Sequence, residues 1–104
     1  MSNKIKTRIS LEKKTAQLRM MVFHPMESGL RKDPVSKKLI ERHFINVVNI
    51  KKNDTVVVEA HLSRSVSRNP FLHFTVYDVE VGDKFLISWK DNFGDSGKTE
   101  IVVK

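Results

Sequence analysis

Hydrophobic and polar residues alternate along most of the chain, which is the two-residue period of a β-strand. The alternation is clean at residues 55–62, where Val56, Val58, Ala60 and Leu62 are expected to face inward. The same pattern, rich in β-branched and aromatic residues, recurs between clusters of turn residues. It predicts strands at residues 4–11, 16–24, 42–51, 55–62, 71–79, 84–90 and 98–103.

The segments between the predicted strands are short, apart from one connection that runs from Pro25 to about Glu41. A loop of this length is uncommon in a compact domain and is usually functional. A short helical turn is expected within residues 36–40, and Gly29 is expected to adopt a positive φ angle. Asn53-Asp54 and the segment 91–97 are expected to form turns.

Seven strands at roughly ten-residue spacing, without an amphipathic helix, predict an all-β protein. The expected architecture is an immunoglobulin-like antiparallel β-sandwich of about seven strands. Residues 1–104 are expected to form one domain, because 104 residues leave no room for a second. Trp89 lacks the flanking cysteines of antibody domains, so packing is expected to hold it.

The positive charge lies in the first part of the chain. The formal net charge is +7, and residues 1–42 contain eleven basic and four acidic residues, whereas residues 43–104 are balanced. This asymmetry favours an acidic protein partner, an anionic ligand or nucleic acid. A solvated basic face that only improves solubility is an equal alternative. The basic residues and the aromatic residues are mostly in different parts of the chain, which disfavours a stacking surface for nucleic acid.

Few side chains offer reactive chemistry. The chain has no cysteine, which excludes disulfides and thiolate chemistry. Its histidines (His24, His43, His61 and His73) are not at metal-ligand spacing, so no metal site is predicted. No nucleophile motif is present, and the calcium-loop glutamate is missing because Val102 stands at the twelfth position of a loop that starts at Asp91. We therefore expect neither an enzyme nor a bound cofactor.

Several sequence words resemble the SoxZ family of sulfur-oxidation proteins. They recur in the family's order and cover most of the chain from residue 21 to residue 97. The words are HPMESGLRKD at residues 24–33, RHFI at 42–45, SRNPFLHF at 67–74, GD at 82–83 and WKDNFG at 89–94.

The resemblance implies a non-catalytic subunit that forms a heterodimer with a SoxY-type subunit. In that system a C-terminal cysteine arm of SoxY carries thiosulfate-derived intermediates between Sox enzymes, which the carrier contacts transiently. The resemblance also implies a periplasmic location. The N-terminal residues contain no apolar segment of the kind found in signal peptides, so export together with a signal-bearing partner is expected. No membrane association is expected.

Two groups of residues are predicted to make contacts with other molecules. Methionine adapts to irregular surfaces, so a group beside the long connection is predicted to bind the partner, with a core role as the alternative: Met20, Met21, Phe23, Met26 and Glu27. Arg31 and Lys32 are predicted to attract anionic cargo or acidic docking partners. A stand-alone basic module that binds an anionic ligand or nucleic acid remains the alternative function.

Overall fold

Seven strands are found in the protein, whose computed structural model describes residues 4–63 and 65–104. They are β1 Ile5–Glu12, β2 Thr15–Val22, β3 Ile45–Lys52, β4 Thr55–His61, β5 Phe71–Val76, β6 Lys84–Asp91 and β7 Ser96–Val102. Every predicted strand is present, and no predicted end is displaced by more than three residues. Within the described residues there is no helix with the length and apolarity needed to cross a bilayer.

The strands form two antiparallel sheets. One sheet has three strands in the order β1-β2-β5, and the other has four in the order β4-β3-β6-β7. Strand β2 pairs with β1 on one side and with β5, distant in sequence, on the other. The predicted all-β, immunoglobulin-like sandwich is therefore confirmed.

The inner faces of the two sheets form the core. Alternate residues of β2 and β6 are buried, as the period of two requires. The largest fully buried side chains are Trp89, Phe85, Leu18, Met20, Ile45, Ile50 and Ile87. Burying a side chain of this size stabilises the fold by about 1.5–3 kcal/mol. The core, and not a disulfide, thus holds the two sheets together.

Turn chemistry closes the hairpins as predicted. Asn53 and Asp54 both have positive φ angles, 49° and 72°, and form the two-residue loop between β3 and β4. Two positive φ angles match the right-handed twist of the flanking strands, and Asn and Asp tolerate them well. Gly29 has the expected positive φ of 86°.

Two local predictions are wrong. Val56 is 52% exposed, because the pairing of β3 with β4 shifts register between Ile50 and Lys51 and breaks the alternation of β4. Residues 36–40 form no helical turn. The segment folds back on itself instead, and a β-bridge joins Lys32 to Leu39.

Candidate functional site

Met20 and Met26, two of the predicted partner contacts, are buried inside the chain itself, with exposures of 1% and 6%. The Met26 amide donates to Nδ1 of His24 at 3.0 Å, and its Sδ accepts from the amide of Ile45 at 3.3 Å. These two side chains belong to the core, where a partner cannot reach them. Their prediction as partner contacts is corrected accordingly.

Met21 lies on the outer face of the three-stranded sheet, since β2 turns alternate residues outward, and Phe23 directly follows the last residue of this strand. Strand register places Met21 between Lys6 on β1 and Phe71 on β5, so these three residues form one row across the face. Phe71 is 59% exposed. The Lys6 ammonium lies 5.8 Å from the centre of the Phe23 ring, a cation–π contact. The part of this face that contains Met21 and Phe71 is therefore apolar, and the positive charge of Lys6 lies beside it.

A basic row lies next to the apolar row on the same face. Arg8 is directly opposite Arg19, and Arg19 is directly opposite His73. A depression of about 500 Å³ spans both rows and is lined by Lys6, Thr7, Arg8, Arg19, Met20, Met21 and Phe71. Basic and aromatic side chains distant in sequence thus share one surface. Their separation along the chain is therefore no argument against a shared surface, because β2 pairs with β1 and β5 at once.

Residues 30–40 form a short hairpin at the end of the sandwich, which we call the basic finger. The Asp33 amide donates to the carbonyl of Lys38, and the Ile40 amide donates to the carbonyl of Arg31. The Asp33 carboxylate accepts from the amides of Ser36 and Val35 at the tip, and these hydrogen bonds lower the pKa of Asp33. Val35 is 90% exposed. The finger is thus an ordered projection whose apolar tip is open to solvent.

The two predicted anion-binding residues differ in their surroundings. Arg31 forms two hydrogen bonds with the carboxylate of Glu27, at 2.6 and 3.1 Å, and this pairing lowers the pKa of Glu27. Lys32 is exposed on the finger. Glu27 also pairs through its backbone with His43, which fixes the base of the finger to the sandwich. Arg31 therefore anchors the finger, and Lys32 extends into solvent.

A buried polar cluster lies beneath the finger. Oδ2 of Asp91 accepts hydrogen bonds from Nε2 of His24 at 2.9 Å and from Nε2 of His43 at 2.7 Å. Oδ1 accepts from the amides of Phe93 and Asp95, both at 2.9 Å. The His24 and Asp91 side chains are fully buried, and that of His43 is 8% exposed. The carboxylate therefore has four partners, which compensates for its loss of water.

The protonation pattern of this cluster follows from its hydrogen bonds. Nδ1 of His24 accepts from the Met26 amide, so the ring proton is on Nε2, which donates to Asp91. Burial lowers the pKa of His24, so its ring is neutral near pH 7. Burial alone raises the pKa of Asp91, but the hydrogen bonds from His24 and His43 bring it below the usual value.

One potential ligand atom from each of His24, His43 and Asp91 lies within 4.8 Å of the other two, close enough to surround a metal ion. A metal-bound histidine must present a bare nitrogen and normally donates its other N–H. In His24 the bare nitrogen, Nδ1, already accepts a hydrogen bond from the Met26 amide. The nitrogen that faces the cluster, Nε2, carries the proton and donates it to Asp91. The donor set therefore fits a hydrogen-bonded structural cluster and does not fit a metal centre.

Sequence reasoning did not identify this cluster, because its members are far apart along the chain. His24 follows β2, His43 precedes β3 and Asp91 ends β6. All three strand ends reach the same end of the sandwich. A search for polar residues at strand ends on one side of the fold would have found them. His61 and His73 lie on exposed strand positions.

Comparison with known protein families gives a match over nearly the whole chain. A family model described as "Sulphur oxidation protein SoxZ" matches residues 5–102. No curated protein matches the chain.

Proposed function

Because this chain belongs to the SoxZ family of sulfur-oxidation proteins, we propose that it is the non-catalytic scaffold of a heterodimeric sulfur carrier. It binds a SoxY-type subunit, whose C-terminal cysteine arm carries thiosulfate-derived intermediates between Sox enzymes. The chain has no cysteine, so it has no thiol to which sulfur could be attached. Its contribution is the surface that it offers to the partner.

The observation that carries this proposal is the apolar row on the outer face of the three-stranded sheet. Phe71 is 59% exposed on a regular strand and is directly opposite Met21. An aromatic side chain in such a place does not stabilise the isolated fold, and contiguous exposed apolar surface marks interaction sites. A permanent heterodimer buries on the order of 2,000 Å² or more, with an apolar centre. This row supplies such a centre.

Co-expression with a SoxY-type subunit tests the proposal. Met21→Asp combined with Phe71→Asp should abolish the one-to-one complex seen by size-exclusion chromatography, because two carboxylates would be buried in an apolar contact. Val102→Asp is the matched control, since Val102 is 42% exposed on the other sheet. Thermal melts of all variants verify the fold. An intact complex with the double variant would refute this interface.

The basic finger supports a second contact of the carrier. Lys32 is exposed there, and Arg31 holds the base through Glu27. We propose that this segment attracts anionic cargo or acidic residues of the enzymes that the carrier visits. Replacing Arg31 and Lys32 by alanine should slow sulfur transfer more at low than at high ionic strength, since salt screens such attraction over about 8–10 Å. Equal transfer rates would contradict this role.

Binding of nucleic acid or of another anion by the isolated chain is the alternative function. The shared face of Arg8, Arg19 and Phe71 favours it, since such binding combines basic and aromatic groups. Fluorescence anisotropy with a labelled oligonucleotide separates the two functions. The carrier function predicts weak binding that disappears at physiological salt, together with a stable complex with the arm-bearing subunit.

We further propose that the heterodimer works in the periplasm and that the chain is exported bound to its partner. Membership of the SoxZ family supports this location. Cell fractionation tests it: the chain should be in the periplasmic fraction when the signal-bearing partner is co-expressed. It should stay in the cytoplasm when the partner's signal is deleted.

A further inference from the structure

Three basic side chains lie side by side in the middle of the outer face of the three-stranded sheet. Arg8 faces Arg19 across the β1–β2 pair, and Arg19 faces His73 across the β2–β5 pair. Directly opposed residues on one face have their Cβ atoms about 5 Å apart, and like charges in that arrangement destabilise a sheet. Two guanidinium groups opposite each other do not stabilise the fold of the isolated chain. Local conflicts of this kind are expected at functional sites.

The positive charge of the row is not neutralised by the part of the chain that the structure describes. Neither Arg8 nor Arg19 forms an ion pair there. The outward positions of β1, β2 and β5 include one acidic residue, Glu12, which is four residues from Arg8 and therefore about 13 Å along the strand. Arg19 is also half-buried, so part of its hydration is already lost. A partly desolvated guanidinium directly opposite a second one creates a site for an anionic group.

The neighbours of the row indicate what kind of anion fits. On one side lies the apolar row of Met21 and Phe71, and on the other lies the neutral polar row of Ser10, Gln17 and Thr75. A nucleic acid backbone needs a longer track of basic groups than a single row. A carboxylate on a largely apolar protein surface fits both the arginine pair and the adjoining apolar row, and arginine binds carboxylates with two parallel hydrogen bonds.

We propose that Arg8 and Arg19 together bind one aspartate or glutamate side chain of the partner subunit and so fix the orientation of the heterodimer on this sheet. This inference rests on the proposed function, and it adds the chemistry of the contact. The same oxyanion-binding geometry is open to a free sulfur oxyanion, so the experiment includes one arm for each source.

The dissociation rate of the purified heterodimer, measured by exchange with fluorescently labelled chain, tests the proposal. Arg8→Gln and Arg19→Gln should each raise this rate about tenfold or more, because losing one member of a desolvated charge pair acts mainly on dissociation. The double variant should be little faster than the faster single variant, since both arginines share one carboxylate. Lys90→Gln with Lys98→Gln removes two exposed charges from the outer face of the other sheet and should leave the rate unchanged.

The outcomes separate this inference from the proposed function. Formation of the one-to-one complex reports on the proposed function, whereas the exchange rate reports on the arginine pair. A complex that forms but exchanges within twofold of the wild-type rate in both single variants would overturn the inference. Calorimetric titration of the isolated chain with sulfate and thiosulfate forms the second arm. Saturable binding that disappears in the double variant, without any change of exchange rate, would show that the occupant is a free oxyanion and would overturn the carboxylate contact.

Discussion

Replacing Asp91 by asparagine should lower the free energy of unfolding by about 2–4 kcal/mol, because the buried carboxylate is the common acceptor of four hydrogen bonds. Asparagine has nearly the same shape, so the change tests hydrogen bonding and charge and leaves packing intact. Domains of this size have a total stability of about 5–15 kcal/mol. The expected loss is therefore a large part of the whole.

The magnitude follows from the donors that the new amide would meet. Its oxygen can replace Oδ1 and keep the two backbone amides, but its NH₂ group would face the Nε2–H groups of His24 and His43. His43 can move its proton to the other ring nitrogen. His24 cannot, because its Nδ1 accepts from the Met26 amide. At least one buried ring donor stays unsatisfied, at a cost of about 1–3 kcal/mol, and a charge-assisted hydrogen bond is lost as well.

Urea unfolding at pH 7.5, followed by the fluorescence of Trp89, measures this loss. Trp89 is the single tryptophan, is 1% exposed, and lies edge-on to the His24 ring at 5.3 Å, so its emission reports on this region. Asp95→Asn is the matched control, because Asp95 is exposed in the same hairpin and should change stability by less than about 0.5 kcal/mol. If Asp91→Asn unfolded with the control's midpoint and slope, the hydrogen-bond reasoning would be refuted.

Two further effects on stability are expected. Stability should fall as the pH drops below about 6.5, because burial lowers the pKa of His24 and the unfolded chain then takes up the proton more readily. The contribution of Asp91, whose pKa is also lowered, should be present above about pH 3.8 and disappear below it. Urea midpoints measured at pH 7.5, 5.5 and 3.5 should therefore decrease in that order. A higher midpoint at pH 5.5 than at pH 7.5 would contradict the effect of His24. Gly29→Ala should lower the free energy of unfolding by about 1–3 kcal/mol in the same assay, because φ is positive and an added Cβ would overlap the Arg42 side chain. Gly82→Ala should lower it less, since an added Cβ there has no neighbouring atom within 4 Å.

The alternation of residue types was enough to predict the strands and the class of the fold. Strand β2, and β6 as far as Trp89, illustrate this, since every second residue is apolar in the sequence and buried in the structure. The period is local, so neighbouring residues alone determine it. The exception, Val56, is not local in origin: it follows a register shift in the pairing of β4 with β3, which is not visible in β4 alone.

The family resemblance gave the functional class, but it did not locate the surfaces. Met20 and Met21 are adjacent and chemically identical, yet one lies in the core and the other on the outer face. Likewise, Arg31 and Lys32 are adjacent and both exposed, yet the Arg31 side chain is held by Glu27 whereas Lys32 extends from the finger. Strand direction and loop contacts decide which of two similar neighbours can reach a partner.

The sequence by itself thus determined the strand pattern, the all-β class, the absence of a thiol and the concentration of positive charge in the first 42 residues. Only the tertiary structure brought Arg8, Arg19 and His73 into one row and joined His24 and His43 to Asp91. The reason is physical. Patterns within a strand depend on near neighbours, whereas pairing between distant strands depends on how the whole core packs.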